Sequence, residues 1–156
     1  HLEHRRQRQM CIRDSYITIS KKEINKIRSG IKTRNSCRII LHKKNSPQQE
    51  MLIAQKKNYY FPIKKNIKSD QTFTIITGKL LILIFSKKGK LIKKILLSKS
   101  KNIICRIKRN TYHCDISLSS PAIHLETKSG KFSKKNNSFG NFPKANLLIK
   151  KLIKKR

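Results

Sequence analysis

The sequence predicts an all-β fold, a sandwich or barrel headed by one short helix. Short β-branched or aromatic runs recur at near-regular spacing over 38–42, 51–55, 59–61, 72–77, 79–85, 91–97, 103–107, 112–118 and 123–126. Turn chemistry separates them: Asn45-Ser46-Pro47, Lys87-Lys88-Gly89-Lys90, 98–102 and Ser119-Ser120-Pro121. The run Leu80-Leu81-Ile82-Leu83-Ile84-Phe85, after a turn glycine at Gly78, is apolar on both faces.

The helix comes first. Ser20-Lys21-Lys22-Glu23 has the S-x-x-E form of a capping box, in which the serine hydroxyl and the glutamate carboxylate satisfy free backbone N–H groups. Ile24, Ile27 and Ile31 follow at helical spacing, and Gly30 marks the end. Further on, Lys87 to Lys90 between two apolar runs predicts a hairpin in which Gly89 supplies the positive φ. In 112–118, alternation puts Tyr112, Cys114, Ile116 and Leu118 on one side and His113, Asp115 and Ser117 on the other. His113 and Asp115 therefore share a face, so Asp115 either orients His113 or sits at the surface offsetting nearby cations. The double-sided run 80–85 suits a strand packed on the core by one face and on a second subunit by the other, which predicts a homodimer.

At 156 residues the chain suits one domain. It carries 39 Lys plus Arg against 7 Asp plus Glu, a formal net charge of +32. Lys, Ile and Asn dominate together, as an AT-rich coding sequence produces, and charge of that origin is spread evenly. A nucleic-acid reader instead gathers cations on one face with stacking aromatics. This chain has no Trp, and Phe73 and Phe85 fall in core-type runs, so loose, salt-sensitive contact with polyanions is favoured over specific reading.

Residues 1–15, with Arg5-Arg6-Gln7-Arg8-Gln9-Met10-Cys11-Ile12-Arg13-Asp14-Ser15, resemble a translated sequencing adapter and are excluded from fold reasoning; a genuine basic tail is the alternative. Cys37, Cys105 and Cys114 remain, an odd number without C-x-x-C spacing, which points to buried thiols and a reducing cytoplasm rather than a disulfide framework or zinc knuckle. No apolar run is long enough to cross a bilayer as a helix. The basic, amphipathic 147–156 is expected to fray, with an anionic membrane surface as its possible contact.

From about Ile39 to Phe142, two-thirds of the chain, the sequence resembles the WbuC-type small cupin fold metalloproteins of bacteria. The resemblance rests on Leu41-His42-Lys43, Gln48-Gln49-Glu50-Met51-Leu52-Ile53-Ala54, Phe73-Thr74-Ile75-Ile76-Thr77-Gly78-Lys79-Leu80, Tyr112-His113, Glu126, Gly130 and Phe132. It implies a cupin-type double-stranded β-helix, a jelly-roll barrel, over 37–142. The helix and lead-in occupy 16–36 and a basic tail 143–156. It also implies an association with bacterial surface polysaccharide, notably O-antigen (lipopolysaccharide) biosynthesis, and a divalent transition metal.

The family pattern Pro-Pro-His-x-His, with a Glu five residues on, places its ligands at Lys64, Asn66 and Gln71. Only His113, in the second motif, keeps a ligand identity. A protonated amine and two neutral amides are poor partners for a transition metal. The expectation is a degenerate site with no metal or other cofactor: a ligand pocket in which Lys64 supplies charge and Asn66, Gln71 and His113 hydrogen bonds to a small polar or sugar-type molecule such as a sugar nucleotide. His42 and His124 are the residues from which ligands could be rebuilt. No catalytic residue is assigned, because no nucleophile elbow, P-loop or G-x-G-x-x-G occurs and only five acids lie outside 1–15. The competing readings are a metal-dependent isomerase, epimerase or dioxygenase with rebuilt ligands, and a basic accessory protein on RNA or membrane.

Overall fold

The computed structural model describes residues 17–154. The adapter-like segment 1–15, including Cys11, and Lys155 and Arg156 of the basic tail lie outside them.

Helix α1 (Lys21–Gly30) starts where its capping box requires. Ser20 N donates to Glu23 Oε2 at 2.7 Å, and Ser20 Oγ accepts from Glu23 N at 3.4 Å. Ile27 and Ile31 are buried against Leu52, Ala54 and Ile123. Gly30 is the last helical residue but takes no positive φ. A Cβ there would collide with Cys37 Sγ, so the glycine lets the first strand approach rather than forming a left-handed cap. Ser20→Ala is expected to cost about 1 kcal/mol, read as a small drop in the thermal midpoint.

Ten strands follow: β1 (Ser36–Ile40), β2 (Gln48–Gln55), β3 (Lys64–Asn66), β4 (Gln71–Thr77), β5 (Leu80–Phe85), β6 (Leu91–Leu97), β7 (Ile104–Ile107), β8 (Tyr112–Ser117), β9 (Ala122–Ser129) and β10 (Asn137–Phe139). A short 3-10 turn at Lys134–Asn136 precedes β10, and helix α2 (Pro143–Lys154) follows it. The strands form two antiparallel five-stranded sheets, ordered β1-β2-β9-β4-β7 and β10-β3-β8-β5-β6. Two antiparallel sheets packed in this order make a jelly-roll barrel. Gly78 (φ 83°) turns β4 into β5 with its α-carbon packed against Ser119 and Pro121, and Gly89 (φ 77°) closes the β5–β6 hairpin as its spacing predicts.

Alternation along β5 sorts its side chains between two cores. Leu80 and Ile82 join Phe73, Ile75, Leu97, Cys105, Ile107 and Ala122 between the sheets. Leu81, Leu83 and Phe85 point the other way and pack with Ile63, Cys114 and Ile116 against Ala145 and Ile149 of α2. The outer row that the sequence assigns to a second subunit is therefore covered by the chain's own C-terminal helix. Burying each such side chain stabilises by about 1.5–3 kcal/mol, which explains why a twelve-residue helix, marginal in isolation, is held in place rather than frayed. Its lysines 144, 150, 151 and 154 remain exposed. Among the described residues no helix is long and apolar enough to cross a membrane. The thiols of Cys37, Cys105 and Cys114 are free, and the last two are buried.

The run 59–61 forms no strand. It makes a single bridge, Tyr60 to Ile116, and the pairing expected of it falls to β3, which pairs Lys64 with His113.

Candidate functional site

The inter-sheet space is apolar at one end and polar at the other. On β9, residues two apart share a face, and His124, Glu126 and Lys128 all point inward, at 0%, 5% and 8% exposure. From β8 come His113, Asp115 and Ser117; from β2, Gln49 and Gln55; from β4, Gln71; and from β3, Lys64 and Asn66. Phe73 stands at the boundary, its ring 6.2 Å from His113 and 5.7 Å from His124 between centroids.

The structure brings Lys64, Asn66, Gln71 and His113 together but gives them different positions. Asn66 Nδ2 donates to Gln71 Oε1 at 2.6 Å, and His113 Nε2 lies 3.2 Å from the same oxygen. His113 Nδ1 lies 2.9 Å from Thr111 O. All three side chains are fully enclosed. Burial, with the charges of Lys64 and Lys128 adding to it, pushes the His113 pKa down to about 4, so the ring is neutral at pH 7. A neutral ring has a single N–H, which Nδ1 donates to Thr111 O, leaving Nε2 an acceptor that faces the Gln71 amide. Asn66 Oδ1 and Gln71 Nε2 have no partner.

Lys64 instead lines a cavity of about 140 Å³ at the polar end. Arg38 and Lys128 are the other cations on its wall, Glu126 its only carboxylate, and Gln49, Asn136 and Asn137 its amides; Met51, Ile53, Phe61 and Phe132 supply apolar surface. Lys128 Nζ and Glu126 Oε1 are 2.9 Å apart and both buried. Burial would raise the Glu126 carboxyl pKa, but Lys128 and Lys64 together outweigh it and hold the group ionised. Burial, then the charge of Lys128, lowers the Lys64 amine pKa.

Asp115 is neither a surface offset for cations nor hydrogen-bonded to His113. It is buried and accepts from Gln55 Nε2 at 2.6 Å, and burial pushes its carboxyl pKa up. His124 is also sealed in, its pKa lowered by burial, with no partner for either ring nitrogen. His42 lies away from this cluster, its Nδ1 2.9 Å from Glu50 N. Sequence reasoning did not assign Lys128, Arg38 and Gln49 to the site. The alternation His124-x-Glu126-x-Lys128 was the available signal for Lys128, hidden because polar residues at every second position normally mean a solvent face.

A divalent metal does not fit the four side chains Lys64, Asn66, Gln71 and His113. The one imidazole is engaged by Gln71 and Thr111, no carboxylate is among them, and the Lys64 amine stands where a ligand would. Among the described residues no group of three or more His, Cys, Asp or Glu is placed to hold a metal ion.

No protein-family model matches the sequence, and no curated protein does. Solved structures share its fold. Over 68% of this chain it superposes on CapF, a capsular polysaccharide assembling protein from Staphylococcus aureus, with a TM-score of 0.60 and 14% identity, and it spans 32% of that protein's length. KdgF from Halomonas sp. matches 65% of this chain and 84% of its own, with a TM-score of 0.53 and 14% identity. The coconut allergen cocosin matches 68% of this chain and 28% of its own, with a TM-score of 0.56 and 12% identity. The expectation of no cofactor is corrected by these neighbours, because a bound metal is usual in the cupin fold they share with this chain. The misfit at Lys64, Asn66, Gln71 and His113 describes those positions alone. At such identities the comparisons establish a cupin-type fold.

Proposed function

We propose that the polar end of the barrel binds a small anionic ligand of the sugar or sugar-nucleotide class, in a divergent member of the WbuC-type cupins associated with bacterial surface polysaccharide. The observation that carries this reading is the charge on the cavity wall: Glu126 is paired with Lys128, and the Lys64 amine lines the same partly water-excluded space beside them. A cavity of about 140 Å³ holds roughly four or five water volumes of ~30 Å³ each, the scale of one sugar ring. The amides of Gln49, Asn136 and Asn137 suit hydroxyl groups, and Phe61 and Phe132 offer apolar faces. Asn66, Gln71 and His113 act here as a supporting wall, since their hydrogen bonds go to one another and to Thr111. CapF's role in capsular polysaccharide assembly supports the polysaccharide link, as do the residues that resemble the WbuC-type family. A cytoplasmic site fits the free thiols of Cys37, Cys105 and Cys114.

The homodimer expected from the double-sided β5 loses that support, because α2 covers the row concerned. Loose polyanion or membrane-surface contact rests on the net charge and the exposed lysines of α2.

Calorimetric titration with glucuronate and glucose tests the ligand reading. Glucuronate is expected to bind and glucose to bind more weakly. Lys64→Met, which keeps the aliphatic stem, is expected to weaken glucuronate about 10- to 100-fold, as loss of a charge-assisted hydrogen bond does. Equal binding of both sugars, or an indifferent Lys64→Met, would sink the proposal.

A further inference from the structure

We propose a second anion site, for a phosphate or diphosphate ester, in the open groove between the β3–β4 turn and the β7–β8 turn. The groove has a volume of about 560 Å³ and is lined by Lys68, Asp70, Lys108, Arg109, Asn110 and Ser129. It shares no lining residue with the cavity at Lys64.

Its one acid is already committed. Asp70 Oδ2 accepts from Arg106 Nη2 at 2.9 Å and Nε at 3.2 Å, and Oδ1 accepts from Arg109 N at 3.0 Å. These bonds hold the Asp70 carboxyl below the usual carboxylate range, the Arg109 backbone N–H contributing most. The carboxylate is thus matched by Arg106, whose side chain is not part of the lining. Lys68, Lys108 and Arg109 are exposed and line one hollow with a single carboxylate, Asp70, which Arg106 binds and which the Arg109 charge also stabilises.

The backbone that carries them is held from both sides. Lys68 N donates to Asn136 Oδ1 at 2.7 Å, Ile67 N to Asn136 O at 2.8 Å, and Asn136 Nδ2 to Ser69 Oγ at 2.6 Å. Asn110, at φ 62°, donates its N–H to Asn66 O at 2.7 Å. An anion entering this groove therefore orders little backbone, and preorganisation separates the groove from the other basic surface of a chain with a net charge of +32. Lys93 and Lys94, exposed on the edge strand β6, have the charge without the hollow. Three convergent cations suit a group with two or three negative charges, and the volume exceeds what inorganic phosphate fills, hence an ester.

The test is equilibrium binding of inorganic pyrophosphate near physiological salt, followed by calorimetry and phosphorus NMR. Saturable one-site binding is expected, weakened at least tenfold in the double variant Lys108→Ala, Arg109→Gln. The Arg109 hydrogen bond to Asp70 is through the backbone, so the variant keeps it and loses only the side-chain charge. Lys93→Ala with Lys94→Ala removes the same charge and is expected to change nothing. Lys64→Met is expected to leave pyrophosphate binding intact, so failure at the barrel cavity and failure here are separate results. Non-saturable binding, an equal loss in the Lys93 and Lys94 control, or binding of a single-stranded oligonucleotide without pyrophosphate would each overturn the proposal.

Discussion

Phe73→Ala is expected to destabilise the protein by about 3–5 kcal/mol, a large share of the ~5–15 kcal/mol that holds a typical domain folded. Phe73 has no exposed surface and sits between Ile75, Leu80, Ile82 and Ile107 on one side and the rings of His113 and His124 on the other. Its removal leaves a void that the two sheets cannot close without moving β4 against β9, where Phe73 pairs with Glu126. It also brings a cavity large enough for water beside two buried imidazoles. Chemical denaturation should show the midpoint falling with little change in slope. A loss below about 1 kcal/mol would mean that the inter-sheet space is not the main core.

Acidification is expected to produce the second large effect. His113 has an ordinary pKa of 6.5 and one of about 4 in the folded protein, so the unfolded chain takes up its proton first as the pH falls. The contribution is complete above pH 6.5 and is lost progressively down to about pH 4. At about 1.4 kcal/mol per pH step, the interval from 6.5 to about 4 amounts to about 3.5 kcal/mol. His124, lowered by burial, acts with the same sign. Asp115 opposes both, because burial raises its pKa and it is protonated in the folded state first. Glu126 is held low by Lys128 and Lys64 despite its burial, and its loss comes at more acidic pH. Stability measured by urea unfolding from pH 7.5 to 4.5 should fall steeply, and His113→Gln should flatten the slope by about one proton. A slope left unchanged by His113→Gln would contradict a buried neutral imidazole.

Local chemistry was legible to the residue. The capping box at Ser20 and Glu23 and the glycine at the β5–β6 hairpin depend on neighbours within four positions, and both occur as written. Strands β3 and β10 were invisible, because Lys64-Lys65-Asn66 and Asn137-Ser138-Phe139 carry no apolar alternation. They exist because each pairs with the other, and β3 with β8, across long stretches of chain. The grouping at the candidate site was legible in part: the family pattern that the sequence resembles named Lys64, Asn66 and Gln71, and they lie together with His113. Their division of labour was not, since one lines a cavity while three seal one another behind it.

Apolar runs of period two, punctuated by turn residues, were enough to specify an all-β jelly roll with a helix at its head, because burial of alternate side chains is a property of each strand. What covers β5, and which charges meet at the polar end, followed only from packing. Ile149 reaches Leu83, and Glu126 meets Lys64, through contacts between residues about sixty apart, and no periodicity within a strand encodes which distant segment its outer face will find. Sheet order, with β9 between β2 and β4, turns three scattered cations and one carboxylate into a single cavity.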